Sequence, residues 1–327
     1  MVLLIAIVAL GLVFDYTNGF HDTANAIATS VSTRALSPRV AVAMAAILNL
    51  VGALLYTGVA KTVGEGIVNT DLVTLPLVLS ALIGAIVWNF TTWYFGIPSS
   101  SSQALFGGLI GAMIAAAGVS GVLWSGVFDK IILPMIGSPL LGFAGAWLLM
   151  TGLVWLVRKR AQRPVNKWFR TLQPISAGFM AFSHGANDAQ KTMGIITLAL
   201  FTSGQIDTFE VPLWVKIVCA LAMAIGTYSG GWRIIHTLGS KVIKLDPIHG
   251  FAAETAAASV IQLATHFGVP VSTTHTITAA IMGVGSTQRL SAVRWGVAGN
   301  IMTAWVLTLP AAGLVAAAVF LLGAWIF

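Results

Sequence analysis

Eleven apolar stretches follow one another along this chain, and few charged residues interrupt them. The stretches lie near residues 2–14, 40–58, 74–95, 103–119, 138–157, 175–183, 192–202, 211–231, 251–265, 276–285 and 296–326. A helix needs about 20 apolar residues to cross the hydrocarbon core of a bilayer, and several stretches are that long. Only 8% of the 327 residues are charged, too few for the surface of a soluble domain. Since alternating strand patterns are absent, we predict an all-α polytopic membrane protein with roughly 10–12 membrane segments.

The positive charges concentrate in one central run, at residues 158–170. Lys and Arg are enriched in cytoplasmic loops, so we interpret this run as a cytoplasmic loop and expect no nucleic-acid partner. Counting crossings outward from the loop places both termini outside the cytoplasm, in a protein of the cytoplasmic membrane. The single cysteine, Cys219, cannot form a disulfide within the chain.

Two polar motifs each occur twice, in the same order. Asn18-Gly19-Phe20-His21-Asp22 with Asn25 returns 166 residues later as His184-Gly185-Ala186-Asn187-Asp188 with Lys191. Gly96-Ile97-Pro98 with Ser99 to Gln103 returns 172 residues later as Gly268-Val269-Pro270 with Val271 to His275. Matched landmarks in the same order indicate a duplication.

The duplication divides the chain into a membrane repeat at 1–157, a basic cytoplasmic linker at 158–173 and a second membrane repeat at 174–327. The loop charges place equivalent loops on opposite sides of the membrane, so the two repeats are predicted to be inverted. Inverted repeats are a common architecture of secondary transporters.

The opening segment is too long for one crossing. As a single helix, residues 1–33 would measure about 50 Å, against a hydrocarbon core of about 30 Å. We therefore expect the helix to break at the polar cluster 15–25, which contains Gly19, and the segment 174–200 to break near Gly185. Transporters place substrates and coupling ions at broken or re-entrant helices near the midplane.

The aspartates of the first motif, Asp22 and Asp188, are candidate ligands for a coupling cation or candidate proton acceptors. An ionisable group at membrane depth costs at least about 2.5–3.5 kcal/mol, which a mere helix cap does not justify, because Ser or Asn would cap more cheaply. Lys191 either pairs with Asp188 or contacts an anionic substrate. Glu254, which Leu82 replaces in the first repeat, is either a further cation ligand or interfacial.

The amides and imidazoles of the same motif exchange places between the repeats. Asn18 corresponds to His184, and His21 corresponds to Asn187. These side chains either coordinate an ion or hydrogen-bond to backbone groups that a helix break exposes. No spacing among them is typical of a zinc site.

The second motif puts hydroxyl groups at the predicted start of an apolar helix, at Ser99–Gln103 and at Ser272–His275. A helix start offers free N–H groups and the positive end of the helix dipole, which suit an anion. Hydroxyl and N–H donors also suit a tetrahedral oxyanion. The alternative is a run of Ser and Thr that only caps the helix.

At these residues the chain resembles the inorganic phosphate transporter (Pit) family of cation–phosphate symporters. His184-Gly185-Ala186-Asn187-Asp188 with Lys191 fits the duplicated Gly-Ala-Asn-Asp motif of the family closely, and the first copy departs from it at Phe20 and His21. Gly268 to His275 also fits, whereas Gln103 replaces His in the first copy. The resemblance covers essentially the whole chain.

The resemblance implies two sets of site residues. Phosphate would bind near the midplane at Ser101, Ser102, Gln103, Ser272, Thr273, Thr274, His275 and Lys191. The coupling cation would bind at Asp22, Asn25, Asn187, Asp188 and His21, with Na⁺ at the first four of these. The resemblance leaves the choice between Na⁺ and H⁺ open. It also allows a neutral metal–phosphate complex as cargo, a homodimer and a PhoU-like cytoplasmic partner.

These observations predict a symporter of inorganic phosphate that works by alternating access, with no enzymatic activity and no cofactor besides the coupling ion. One alternative is a sulfate permease of the same family, since sulfate satisfies the same donors. Another is an intramembrane hydrolase with an Asp22/Asp188 dyad, which would not need the paired Ser/Thr motifs. An anion channel is the third alternative, disfavoured because broken helices suit an occluded site better than a continuous pore.

Overall fold

The computed structural model describes residues 1–323, and these fold into α-helices joined by short turns. The first half contains α1 (Val2–Ser32), α2 (Pro38–Leu55), α3 (Gly58–Glu65), α4 (Leu75–Phe95), α5 (Ser101–Ala117), α6 (Trp124–Val127) and α7 (Leu133–Val157). The second half contains α8 (Gln162–Thr202), α9 (Leu213–Ser229), α10 (Trp232–His236), α11 (Pro247–His266), α12 (Thr273–Ser286) and α13 (Trp295–Gly323). The predicted all-α class is confirmed.

Within residues 1–323, five helical segments are long and apolar enough to cross a membrane by themselves. They are Val2–Ser32, Pro38–Leu55, Leu75–Phe95, Trp124–Val157 and Trp295–Gly323. A sixth span arises if α9 and the helical segment Trp232–Lys241, which are bent by 60° at their junction, are counted together. The larger number of segments expected from the sequence stays a prediction.

The predicted breaks in the first segment of each repeat are wrong. Helix α1 runs without interruption through Gly19, and α8 runs without interruption through Gly185. Both glycines serve close helix packing: a side chain on Gly19 would collide with the backbone of Met223 in α9, and one on Gly185 would collide with the backbone of Asn49 in α2. The polar side chains beside them find partners on neighbouring helices, so the backbone does not need to open.

Replacing Gly19 with alanine is therefore expected to destabilise the protein by about 1–3 kcal/mol, because the new methyl group meets the backbone of Met223. Thermal unfolding in detergent measures this. The matched control is Gly137→Ala in α7, where a Cβ meets nothing within 4 Å. That control should be as stable as the wild type or more stable, since alanine favours helix over glycine. Equal unfolding temperatures for the two variants would contradict the packing role of Gly19.

The chain turns back on itself at the second motif instead. Helices α4 and α5 form one hairpin around residues 96–100, and α11 and α12 form another around 267–272. Gly96 and Gly268 begin these turns with φ of 65° and 67°, a conformation that favours glycine. Each turn is covered by a short helical segment from elsewhere: Thr62 of α3 donates to the Gly268 carbonyl at 2.8 Å, and Thr237 beyond α10 donates to the Gly96 carbonyl at 3.0 Å.

Two buried apolar clusters lie on either side of the polar motifs. On α1, Leu4, Ile7 and Phe14 belong to one cluster, whereas Ala24 and residues 26–28 belong to the other. Helix α8 passes through the same two clusters in the opposite order. The polar residues of both helices are thus held between two apolar cores. The predicted linker is largely helical, because only residues 158–161 lie outside α7 and α8.

Candidate functional site

The starts of α5 and α12 point into the protein interior. Ser100 caps α5 by accepting a hydrogen bond from the Gln103 N–H at 3.3 Å, and Ser272 caps α12 by accepting one from the His275 N–H at 3.2 Å. Both caps are buried. The first N–H groups of a helix lack intrahelical partners, so each hairpin brings free donors and a positive dipole end to the polar motifs.

The first turn of α12 lies between the two aspartates. The Thr273 hydroxyl donates to Asp188 Oδ2 at 2.8 Å, and the Thr274 hydroxyl donates to Asp22 Oδ1 at 3.3 Å. Asn25 donates to both hydroxyl oxygens, at 3.2 and 2.9 Å. The first turn of α12 therefore contacts the polar motifs of both α1 and α8.

Asp22, His184 and Asp188 form a compact buried group. One ligand atom from each residue lies within 4.8 Å of the others. The hydroxyls of Thr273 and Thr274 adjoin this group, and in the described part of the chain Asn25 Oδ1 has no hydrogen-bond partner. A set of donors dominated by oxygen suits a hard cation such as Na⁺.

The imidazole of His184 points a ring nitrogen at this group. Its Nδ1 lies 3.0 Å from Asn49 Oδ1, an oxygen that can only accept, so Nδ1 carries the proton. In the neutral ring, Nε2 then directs a lone pair toward Asp188 Oδ2, 3.1 Å away. Two acceptors that face each other at this distance are stabilised by a cation or a proton between them.

Lys191 is buried and uses all three of its ammonium donors. It donates to Asp188, to the Ser102 hydroxyl at 2.5 Å and to the Val271 carbonyl at 2.7 Å. Of the two alternatives drawn from the sequence, the pair with Asp188 is therefore present. The same side chain also links the start of α5 to the turn before α12.

The side chains of His21 and Asn187 hydrogen-bond to parts of the fold that surround the buried group. His21 contacts Asp22 Oδ1 at 2.7 Å and Thr92 of α4 at 3.0 Å. Asn187 donates to Thr265 at 2.9 Å and accepts from the Val271 N–H at 3.3 Å, so its amide fixes the turn before α12.

Gln103 and His275 lie away from the aspartates. Both line a mostly apolar cavity of about 420 Å³ between α7 and α13, and His275 stacks on Trp305 with ring centroids 3.9 Å apart. Ser101 is buried at the start of α5, and its hydroxyl has no hydrogen-bond partner among residues 1–323. Of the predicted phosphate-binding residues, Ser102, Thr273, Thr274 and Lys191 are thus brought to the central group.

Sequence reasoning missed several polar residues around this group. Asn49 and Thr92, the partners of the two histidines, are single polar residues in apolar helices and give no signal of their own. Asp15 is a fully buried carboxylate that its apolar surroundings could have revealed. Glu254 is not interfacial but fully buried, and it accepts hydrogen bonds from Thr29, Gln173 and Ser176.

Comparisons with known proteins agree with one another. The model of the phosphate transporter family matches residues 18–316. A probable low-affinity inorganic phosphate transporter of Rhizobium meliloti (strain 1021) is 52% identical over 318 residues, which cover 96% of this chain and 95% of the relative. A protein of the same description from Bacillus subtilis (strain 168) is 47% identical over 95% of this chain and 94% of its own. A solved structure of a sodium-dependent phosphate transporter matches all of both chains with a TM-score of 0.91 and 25% identity.

Proposed function

The chain belongs to the phosphate transporter family, and we propose that it carries inorganic phosphate across the cytoplasmic membrane together with a cation, by alternating access. The family resemblance, the multi-pass membrane class and the expectation of a transporter rather than an enzyme are confirmed. The observation that carries the proposal is the first turn of α12, whose hydroxyls contact both aspartates. Ions bound on either side of this turn would share its contacts, and such sharing couples their binding.

The proposed phosphate site lies where the two hairpins meet. Ser101, Ser102, Ser272, Thr273 and Thr274 supply hydroxyl groups there, and the two helix starts supply N–H donors. Lys191 supplies a positive charge, and because its donors are engaged, an arriving phosphate would replace Ser102 or the Val271 carbonyl as its partner. Gln103 and His275 would join the site only after turning away from the cavity beside α7.

The proposed cation site is formed by Asp22, Asp188 and Asn25 with the hydroxyls of Thr273 and Thr274. The oxygen-rich set favours Na⁺, as does the similarity to a sodium-dependent transporter. Asn187 of α8 supports this site through the turn before α12, and His21 of α1 supports it through its contacts with Asp22 and with Thr92 of α4. Coupling to H⁺ is the alternative, with His184 and the aspartates as acceptors.

The two halves, 1–157 and 174–327, are proposed to be inverted repeats with both termini outside the cytoplasm. The paired hairpins support this, since α3 covers the turn of the second hairpin and the segment after α10 covers the turn of the first. The inverted repeat is also supported by the equivalent close contacts of Gly19 with α9 and of Gly185 with α2. A metal–phosphate cargo, a homodimer and a PhoU-like partner stay predictions from the resemblance.

Uptake of radiolabelled phosphate into proteoliposomes tests the proposal, with Na⁺ and pH gradients imposed separately. We expect an inward cation gradient to drive accumulation and unlabelled phosphate to compete better than sulfate. Uptake that responds to neither gradient would overturn coupled transport. Stronger competition by sulfate would assign the chain to sulfate instead.

A further inference from the structure

A second buried carboxylate lies on α1, outside the central group. Asp15 precedes Asp22 by seven residues, so the two lie on the same face of the helix about 10 Å apart. Asp15 is 0% exposed. The Thr192 hydroxyl of α8 donates to its Oδ1 at 2.9 Å, and within residues 1–323 its Oδ2 has no hydrogen-bond partner.

Among residues 1–323, no Lys, Arg or His forms an ion pair with this carboxylate. Titratable groups near it on the neighbouring helices are the Cys219 thiol of α9, which faces it, and the Asp188 carboxylate of α8. Lys216, one turn before Cys219, forms no ion pair with it in the described part of the chain, and Lys191 directs its donors elsewhere. Helix α4, which also packs on α1, contributes no Asp, Glu, His, Lys or Arg. An ionised carboxylate here would be costly, whereas a protonated one is neutral.

The packing of the fold does not require these polar groups. Under the proposed repeat, the offset of 166 residues makes Asp15 correspond to Ala181 and Thr192 to Ala26. Gly19 meets Met223 as Gly185 meets Asn49, an offset of 174 between α2 and α9, so Cys219 corresponds to Ala45. All three alanines are buried at 0% exposure, so the equivalent contact in the other repeat is closed by apolar residues. The polar group around Asp15 is thus an addition to one repeat only.

We propose that Asp15 is a proton-binding site of the transport cycle, separate from the cation site at Asp22 and Asp188. In the described state the carboxyl group holds a proton, and it releases that proton to water when the transporter opens. Thr192 lies one turn beyond Asp188 on α8, so movement of α8 against α1 changes the hydrogen bond to Asp15 together with the central group. The proposal extends the proposed function by adding a proton to the coupling ions.

Infrared difference spectroscopy tests protonation without relying on transport. The purified wild type at neutral pH should show a carboxylic acid C=O band that shifts in D₂O, and the Asp15→Asn spectrum should lack it. Identical acid bands in the two proteins would overturn the proposal, because Asp15 would then be ionised. The conservative variant Asp15→Glu should restore a band.

Proteoliposome uptake supplies the second readout. An inward pH gradient should raise wild-type accumulation by up to about tenfold per pH unit for each coupled proton. Asp15→Asn should lose this response yet keep phosphate exchange at equal phosphate on both sides within about twofold of the wild type, since asparagine mimics the neutral acid. A variant that keeps the full pH response, or that loses a Na⁺ response instead, would overturn the assignment. If the wild type itself moves no phosphate, the proposed function fails, whereas the spectroscopic result on Asp15 still stands.

Discussion

Replacing Lys191 with methionine is expected to destabilise the protein by about 3–5 kcal/mol, because the buried Asp188 carboxylate loses its cation. The methionine fills similar volume, so the loss comes from the charge and from the hydrogen bonds to Ser102 and Val271. Thermal unfolding in detergent, without Na⁺ or phosphate, measures the effect. Added Na⁺ should restore part of the stability of this variant if the cation binds beside Asp188.

The double variant Asp188→Asn with Lys191→Met provides the matched control. Removing both charges of a buried pair costs less than removing one, so the double variant should unfold at a higher temperature than Lys191→Met alone. Losses that simply add up in the double variant would contradict an energetic coupling between the two side chains.

Replacing Asp22 with asparagine is expected to lower phosphate uptake about 100-fold while the protein stays folded. The variant loses one of two carboxylates that face the proposed cation, a contact of about 2–5 kcal/mol when buried. Its amide oxygen still accepts from Thr274, and no lysine depends on Asp22, because Asn25 stands where the second repeat has Lys191. Uptake in proteoliposomes and unfolding in detergent should be measured on the same preparation.

Asp188→Asn, unlike Asp22→Asn, should lose stability as well as uptake, because its substitution leaves the Lys191 ammonium unpaired. The control for the chemical change itself is Asp207→Asn, in the exposed loop between α8 and α9, which should transport within about twofold of the wild type. Normal uptake by Asp22→Asn would remove Asp22 from the cation site.

The helix starts of the second motif could be predicted from sequence, because a Gly-x-Pro turn followed by Ser or Thr carries its own local signal. The structure begins α5 at Ser101 and α12 at Thr273, inside the predicted runs. The continuity of α1 could not be predicted this way. A polar residue in an apolar helix forces a break only if no other helix supplies a hydrogen-bond partner. Thr92 of α4 supplies one to His21 of α1, and Asn49 of α2 supplies one to His184 of α8.

The sequence also does not predict the direction in which individual side chains point. Ser102 and Gln103 are consecutive, but one helical step turns them about 100° apart. Ser102 therefore meets Lys191, whereas Gln103 faces the cavity beside α7. Asp15 was not singled out within the cluster 15–25 for a related reason: its hydroxyl donor, Thr192, lies 177 residues away in the chain.

The pairing of Lys191 with Asp188 sets the charge balance of the central group. The two aspartates and Lys191 together contribute one net negative charge in a low-dielectric interior. One bound monovalent cation would neutralise this charge. If the site is to stay neutral during the proposed transport, a monovalent phosphate would need one further cation and a divalent phosphate would need two, because Asn25 stands where the second repeat has Lys191.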